Sequence, residues 1–577
     1  MAESVNGGGN PQPPKEMSME MRLLLAFLLM GAVMFVTPYF FKSQNPPPVS
    51  KTAQTESPAK PGSTPAPEAV PPTPVADVAE PAGEPSAPAT AQHPQPNLTI
   101  DTDLYRVTFS NQGGTVRSWQ LKKYKGNDSK PLDLMNTSAG VDFPFALYIP
   151  DRDALAKKLN WAWYTQTVDP DGLGVTYFFS DGHATVRKVF HFQKNSYLSE
   201  VSTEVTVDGN RVSHGVEWRG GFGDLTIANP SGTSQSLYFD VAANKLVTHS
   251  IRDAKNGPVT SSGNFSFGGL ADTYFAAVFL PEGSGSVQQV TFADTVRTPL
   301  EEKPVPFAGA AISDGTANKF ELFVGPKDID QMKAVNPKLE QVVDFGWMSI
   351  LAKPLFLIVN WFNDHAVHNF GWSIIVVTIA INFILFPLKL SNFKSMRKMQ
   401  ALKPQIDTIN AKYKNLKLTD PKKGEQNQEV MDLYKKNGVN PMGGCFPMLI
   451  QLPFFFAFYK VFTVSVEMRG APWLWVTDLS QPEHLPIKIL PLVMIGSQFL
   501  MQKITPQANA DPSQQKMMMF MPLIFGFMFY NFASGLVLYY LTSNLVQMGQ
   551  QWFFNHTQLA VEAADSVTPP KKKNGRK

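Results

Sequence analysis

The stretch GWSIIVVTIAINFILFPLKL, Gly371 to Leu390, constrains the fold more than any other part of this chain. A run of this length and hydropathy suits a helix crossing a lipid bilayer and suits a water-facing surface badly. Thr378 and Asn382 nevertheless sit in its middle, one helical turn apart, and Lys389 continues their stripe seven residues later. A polar group facing hydrocarbon is costly unless it meets a partner or water. The stripe therefore predicts either an interhelical contact or a hydrated cleft.

Similar apolar runs recur. The expected spans of this region are Asn369–Leu388, Phe446–Val466, Ile487–Ile504, Met517–Phe532 and Gly535–Phe554, the fourth of them short for a bilayer. An earlier run, residues 23–41, is long for a signal peptide and lacks a clear small-x-small cleavage site, so a retained anchor is expected there. Residues 345–362 carry Lys353-Pro354 in the middle and tryptophans near the ends, the pattern of an amphipathic helix lying on the membrane surface.

Charge sets the orientation. The segment 389–440 holds twelve Lys or Arg against five Asp or Glu, and the 555–577 tail ends PPKKKNGRK. Both are expected in the cytoplasm, as is the 1–22 N-terminus, which places everything between the anchor and the second span outside. The total is six spans. Within 389–440, Met396, Met399, Leu402, Ile406, Ile409 and Tyr413 recur at helical spacing, NLKLTDP breaks the pattern, and KKGEQNQEVMDLYKKNG supplies a second helix. This basic helical hairpin is either a solvated stalk or a contact site for the ribosome or anionic headgroups.

Between the anchor and the spans lie two segments of different texture. The 42–96 linker carries fifteen prolines from Pro46 to Pro96, among Ala, Thr, Ser and Glu, and cannot bury a core. From 97 to 340, Tyr105, Val107 and Phe109 alternate, as do Val201, Thr203, Val205 and Val207. Turn signals NQGG, VDGN and EGSGS punctuate these runs, so one large all-β sandwich is expected. It lacks a nucleophile elbow, Walker loop, HExxH or dinucleotide fingerprint, and His183, His191 and His214 are scattered singly. A scaffold or docking surface is expected, not an enzyme.

Composition narrows the rest. Forty-two Phe and 23 Met fit apolar helices, while the single Cys445 excludes an intrachain disulfide and argues against a cysteine metal site. A net charge of +3 gives no bulk attraction for nucleic acid, and no DNA partner is expected.

Three motifs then carry a resemblance. NPMGGCFPMLIQLPFFFAFYKVF (Asn440 to Phe462), DPSQQKMMMFMPLIF (Asp511 to Phe525) and SGLVLYYLTSNLVQMGQQ (Ser534 to Gln551) are similar to the YidC membrane protein insertase family. VGPKDIDQMKAVNPKLEQVVDFGW (Val324 to Trp347) resembles the end of the periplasmic domain in its Gram-negative members.

The resemblance implies a periplasmic β-supersandwich and five conserved spans, 369–554, around a hydrophilic groove open to cytoplasm and lipid. It implies an inner-membrane protein that inserts and helps fold nascent membrane proteins, alone or with the Sec translocon. The ribosome and the bilayer are implied as further partners, and no cofactor or metal is needed. Groove residues are expected at Thr378, Asn382, Gln451, Ser534, Tyr540 and Asn544. Leu452, Phe455 and Met528 match a greasy contact surface along which a client span slides, and a Met row at Met517, Met518 and Met519 suits such a surface. Taken singly, each polar residue could instead make an interhelical hydrogen bond. One departure stands out: bacterial members usually carry an arginine four residues after the threonine matched by Thr378, and here that position is Asn382. Lys389 is the nearest replacement for its charge. The competing class, a transporter or channel, predicts internal repeats and ionisable groups at mid-membrane, and the sequence shows no such repeat.

Overall fold

The computed structural model describes residues 93–136, 141–227, 230–283, 285–298, 303–413, 422–439, 446–504 and 512–557. The expected anchor, nearly all of the Pro-rich linker, the break at NLKLTDP and most of the basic tail lie outside the described residues, as do the side chains of Met517, Met518 and Met519.

The alternating residues of the first half form strands for the reason their spacing gives. In Tyr105–Ser110, Tyr105, Val107 and Phe109 are fully buried while Arg106 faces out. The VDGN signal is a tight hairpin, with Asp208 and Gly209 both at positive φ between paired Val207 and Asn210. Among the described residues the strands make sheets of ten, five and four strands. The largest runs in the order Lys245–Ser250, Gln235–Asp240, Phe265–Ala271, Phe275–Pro281, Ala317–Pro326, Leu198–Val207, Ala184–Phe192, Gly174–Ser180 and Thr165–Val168, with Asn210–Arg211 beside Leu198–Val207. The five-stranded sheet, centred on Val305–Ser313, packs across Gln235–Asp240 and Phe265–Ala271. This is the expected all-β sandwich. Its interior is aromatic: Trp119 lies between Tyr105 and Trp218, at 5.5 and 6.0 Å between ring centroids. Each such ring contributes roughly 1.5–3 kcal/mol on burial.

The helices are α1 (Asp153–Trp161) and α2 (Ile329–Val335) in the β region, then α3 (Ser349–Phe362), α4 (Phe370–Ile384), α5 (Phe386–Ala401) and α6 (Lys403–Lys412). They continue as α7 (Lys422–Lys436), α8 (Phe446–Val464), α9 (Ile489–Ile504), α10 (Pro512–Phe529) and α11 (Ser534–Asn555). Asn369 starts α4 by accepting the Trp372 N–H at 3.2 Å. Pro387 stops it: a proline has no N–H and its ring clashes with the preceding turn, so the expected span Asn369–Leu388 is divided at Leu385. Among the described residues no single helix is long and apolar enough to cross a membrane alone. The segments Gly346–Val367 and Phe370–Ile384 qualify together, as a pair bent by 116°. That bend turns α3 sharply away from the axis of α4.

Helix α11 is the hub. It packs on α4, α8 and α9, and Gly535 lets its first turn approach closely, since a Cβ there would meet the Phe462 ring at 2.9 Å. On the basic side, Met399, Leu402 and Ile406 pack on Tyr434, and Tyr413 donates to Glu429 at 2.9 Å, so α6 and α7 lie against each other.

Candidate functional site

Helical spacing assembles a polar cluster inside the bundle. Thr378 and Asn382 sit on the buried face of α4, and Ser543, Gln547 and Gln550 occupy one face of α11 at i, i+4 and i+7. The Thr378 hydroxyl donates back to the Ile374 carbonyl at 2.6 Å, and the Asn382 amide donates to the Thr378 carbonyl at 2.8 Å. Across the interface the same amide reaches Ser543 Oγ at 3.4 Å. Gln547 donates to Ser543 at 2.9 Å, and Gln550 to the Asn382 carbonyl at 3.0 Å.

Lys389 completes the cluster. Its ammonium donates to Asn382 Oδ1 at 2.6 Å. Asn382 is 3 % exposed and Lys389 2 %. No carboxylate among the described residues pairs with this lysine, although a buried charge normally acquires one. Three residues on, Asn392 is buried with both amide atoms unpartnered, and the Oε1 atoms of Gln550 and Gln551 are also orphaned. Orphaned buried amides of this kind normally hold water or a ligand group. Asn382 is thus enclosed and bonded.

The other expected groove residues are dispersed. Asn544, next to Ser543 but turned about 100° around the helix, donates to Ser497 of α9 at 3.1 Å. Gln451 bonds the hydroxyl of Tyr539. The Tyr540 ring lies 4.9 Å from Phe529. Ser534 is at the far end of α11, where it donates to the Gln481 carbonyl at 2.9 Å and anchors the helix to the 465–488 segment. Ser543, Gln547, Gln550 and Asn392 were not singled out from sequence; the seven-residue polar period within SGLVLYYLTSNLVQMGQQ was the available signal.

Of the apolar candidates, Phe455 is buried in a ring cluster with Phe529 at 5.7 Å and Phe532 at 6.3 Å. Leu452 and Met528 are half-buried, and the outer face beside them is strongly apolar, with Phe527 85 % exposed. A patch of that kind is stable only against another apolar phase.

On the opposite side, Arg469 reaches from the 465–488 segment into the β region and pairs with Asp224, both groups nearly or fully buried. Its guanidinium lies 5.8 and 5.7 Å from the Tyr274 and Phe275 ring centres. Nearby, burial raises the Asp272 carboxyl and lowers the Lys327 ammonium to about 8. Lys327 donates to the Asp272 carbonyl at 3.0 Å. Among the described residues no group of His, Cys, Asp or Glu side chains could hold a metal ion.

Comparison with known proteins adds an independent line. Residues 361–561 match the 60Kd inner membrane protein family model, and residues 97–358 match the YidC periplasmic domain. The membrane protein insertase YidC of Geotalea daltonii is 33 % identical over 555 residues, covering 93 % of this chain and 99 % of that one. That of Pelobacter propionicus is 35 % identical over 565 residues, covering 93 % and 99 %. A crystal structure of an active YidC insertase with its first transmembrane domain resolved aligns over 80 % of this chain and 93 % of that chain, at 20 % identity and a TM-score of 0.37. On the two family models and these near full-length relatives, the chain belongs to the YidC membrane protein insertase family.

Proposed function

We propose that this protein inserts nascent membrane proteins into the inner membrane, using the polar cluster between α4 and α11 as the receiving site. The observation that carries this reading is the buried Lys389–Asn382–Ser543–Gln550 cluster, with unpartnered amides beside it, inside helices whose outer faces are apolar. The polar external segment of a client exchanges its water for these donors and acceptors. Its apolar span meanwhile lies against the greasy exterior near Leu452 and Met528. Thr378 and Asn382 form the wall of this site, while Gln451, Tyr540 and Asn544 hold the neighbouring helices in place. Lys389 supplies the positive charge that the arginine supplies in other members, displaced toward the basic hairpin.

Helix length supports a lowered barrier. Helices of fifteen or sixteen residues, as in α4 and α9, are roughly 23 Å long, short of the hydrocarbon core of about 30 Å. A bilayer thinned around them shortens the path of a polar segment. In this reading the hairpin and both termini face the cytoplasm and the β domain the periplasm. The hairpin and basic tail meet the ribosome, and the protein works alone or beside the Sec translocon. Synthesis and hydrophobic partitioning drive the reaction without nucleotide or metal.

Reconstitution tests it. Purified protein in liposomes should insert a small client membrane protein without accelerating solute flux. Solute flux without insertion would replace this reading with a transporter.

A further inference from the structure

The eight residues GAPWLWVT, 470–477, carry no charge and close in an unusual turn. Trp473 and Val476 exchange both backbone hydrogen bonds at 2.8 Å, leaving Leu474 and Trp475 at the tip. Leu474 has φ +49°, left-handed backbone that Asn or Gly adopts at little cost and leucine does not. The chain holds a large apolar residue where a small or polar one would be easier, and both tip residues project outward, Leu474 65 % and Trp475 41 % exposed.

Two further features say what medium the tip meets. The only polar side-chain atom at the tip, Trp475 Nε1, donates internally to Glu483 at 2.8 Å, so the exposed part of the indole is hydrocarbon. The turn is also rigidly mounted. Asn369 Nδ2 donates to the Pro472 carbonyl at 3.0 Å, and the Trp473 ring fills the space a Cβ on Gly371 would need. Trp372, Trp473 and Trp475 form a row with centroids 5.7 and 5.9 Å apart, at the end of α4 opposite the basic hairpin. Exposed Ile487, Leu492 and Val493 continue the apolar surface from the same segment into α9.

We infer that the Leu474–Trp475 turn is a wedge seated in the outer leaflet of the bilayer, at the boundary between headgroups and acyl chains. Tryptophan favours that depth, an uncharged tip enters it without carrying ions, and the apolar faces of α4 and α9 lead into it. Through Arg469 and Ser534 the same segment touches the β domain and the start of α11. The wedge therefore fixes the depth of the periplasmic end of the bundle. The inference rests on the membrane orientation proposed above.

The test uses the full chain in a Cys445→Ser background, in phosphatidylethanolamine–phosphatidylglycerol vesicles. A single environment-sensitive fluorophore is attached through Leu474→Cys, Phe383→Cys or Asn210→Cys. The Phe383 site, exposed on α4, reports whether the bundle is in lipid at all; the Asn210 site lies on an exposed hairpin of the β domain. The label at 474 should be blue-shifted and lose most of its emission to brominated acyl chains, as at 383, while that at 210 is quenched by aqueous iodide. Iodide quenching at 474 with lipid quenching at 383 overturns the wedge and leaves the membrane reading intact. Loss of lipid quenching at both overturns both. Protection at 474 from both quenchers places the turn against protein and also overturns the wedge. Leu474→Asn, which suits the left-handed backbone, should melt at the same or a higher temperature in detergent. In vesicles it should shift a fluorophore attached through Thr477→Cys toward iodide; an unchanged depth there would overturn the wedge.

Discussion

The β domain and the helical bundle both bury aromatic rings, but they expose opposite things. In the β domain the aromatic residues lie inside, and the few buried ions are tied down locally. Arg219 meets Asp294 with donor distances from 2.5 to 3.2 Å, and Lys188 donates to the Gly113 and Phe145 carbonyls at 2.7 and 2.6 Å. In the bundle the amides, hydroxyls and one lysine lie inside, and Phe383, Ile384 and Phe527 lie outside. The same twenty side chains are sorted by two solvents. Water rewards the first arrangement, and hydrocarbon tolerates only the second. The lesson is that an enclosed polar cluster is ordinary packing in one region and a candidate site in the other.

The predictions press on that contrast. The largest effect is expected from deleting Lys398–Lys436, which removes the paired helices of the basic segment. Insertion by reconstituted protein should stop while the bundle stays folded by circular dichroism. Normal insertion would reduce the hairpin to a linker. Next is the junction between the regions. Arg469→Ala leaves the buried Asp224 carboxylate unpaired, at a cost of roughly 3–5 kcal/mol. Protease should then cut the 465–488 segment faster, and Arg469→Ala with Asp224→Asn should recover part of the loss.

A smaller effect is expected at Lys389. Removing its charged hydrogen bond by Lys389→Met should slow insertion of clients with polar external segments on the order of ten- to a hundredfold, since such bonds contribute about 1.5–3 kcal/mol. Lys389→Arg should retain activity, and the melting temperature of Lys389→Met should not fall. The smallest effect is confined to the β domain. Burial raises the Glu217 carboxyl to about 8, against an ordinary value of 4.5. The folded state keeps that proton where the unfolded state has lost it, so the group's contribution is full below pH 4.5 and is lost as pH rises through about 8. Glu217→Gln should flatten the fall in stability between those limits, read from thermal unfolding against pH. An unchanged slope would mean that Glu217 is ionised in the fold.

Much of this contrast was legible in the sequence. Period-two alternation in YRVTF and the VDGN turn gave the strands, because one face of each is buried. The Thr378–Asn382 stripe marked the polar face of α4 that the packing buries. The position of the break in the first span was also written there, as Pro387. What one-dimensional periodicity could not show is which polar faces meet. Ser543 and Asn544 are neighbours in sequence yet serve different helix pairs, and only the packing of α11 decides which of them reaches Asn382. Ser534 looked like part of the same set and lies about two and a half turns before Ser543, holding the Gln481 carbonyl. The stripe left a partner and water equally open for Asn382, and only the packing shows that Lys389, seven positions on and past a helix break, donates to it.

The central claim is that the enclosed cluster around Asn382 is where a client's polar segment goes. A photoreactive side chain at position 382 of the full chain, challenged with a ribosome-stalled client whose external segment is half inserted, measures this directly. The account predicts adducts to that polar segment, and their loss when the client is released by completed insertion. Adducts confined to α11 with client bound, alongside capture of the same segment from position 527 on the outer face, would contradict it. The cluster would then be a structural contact between two helices.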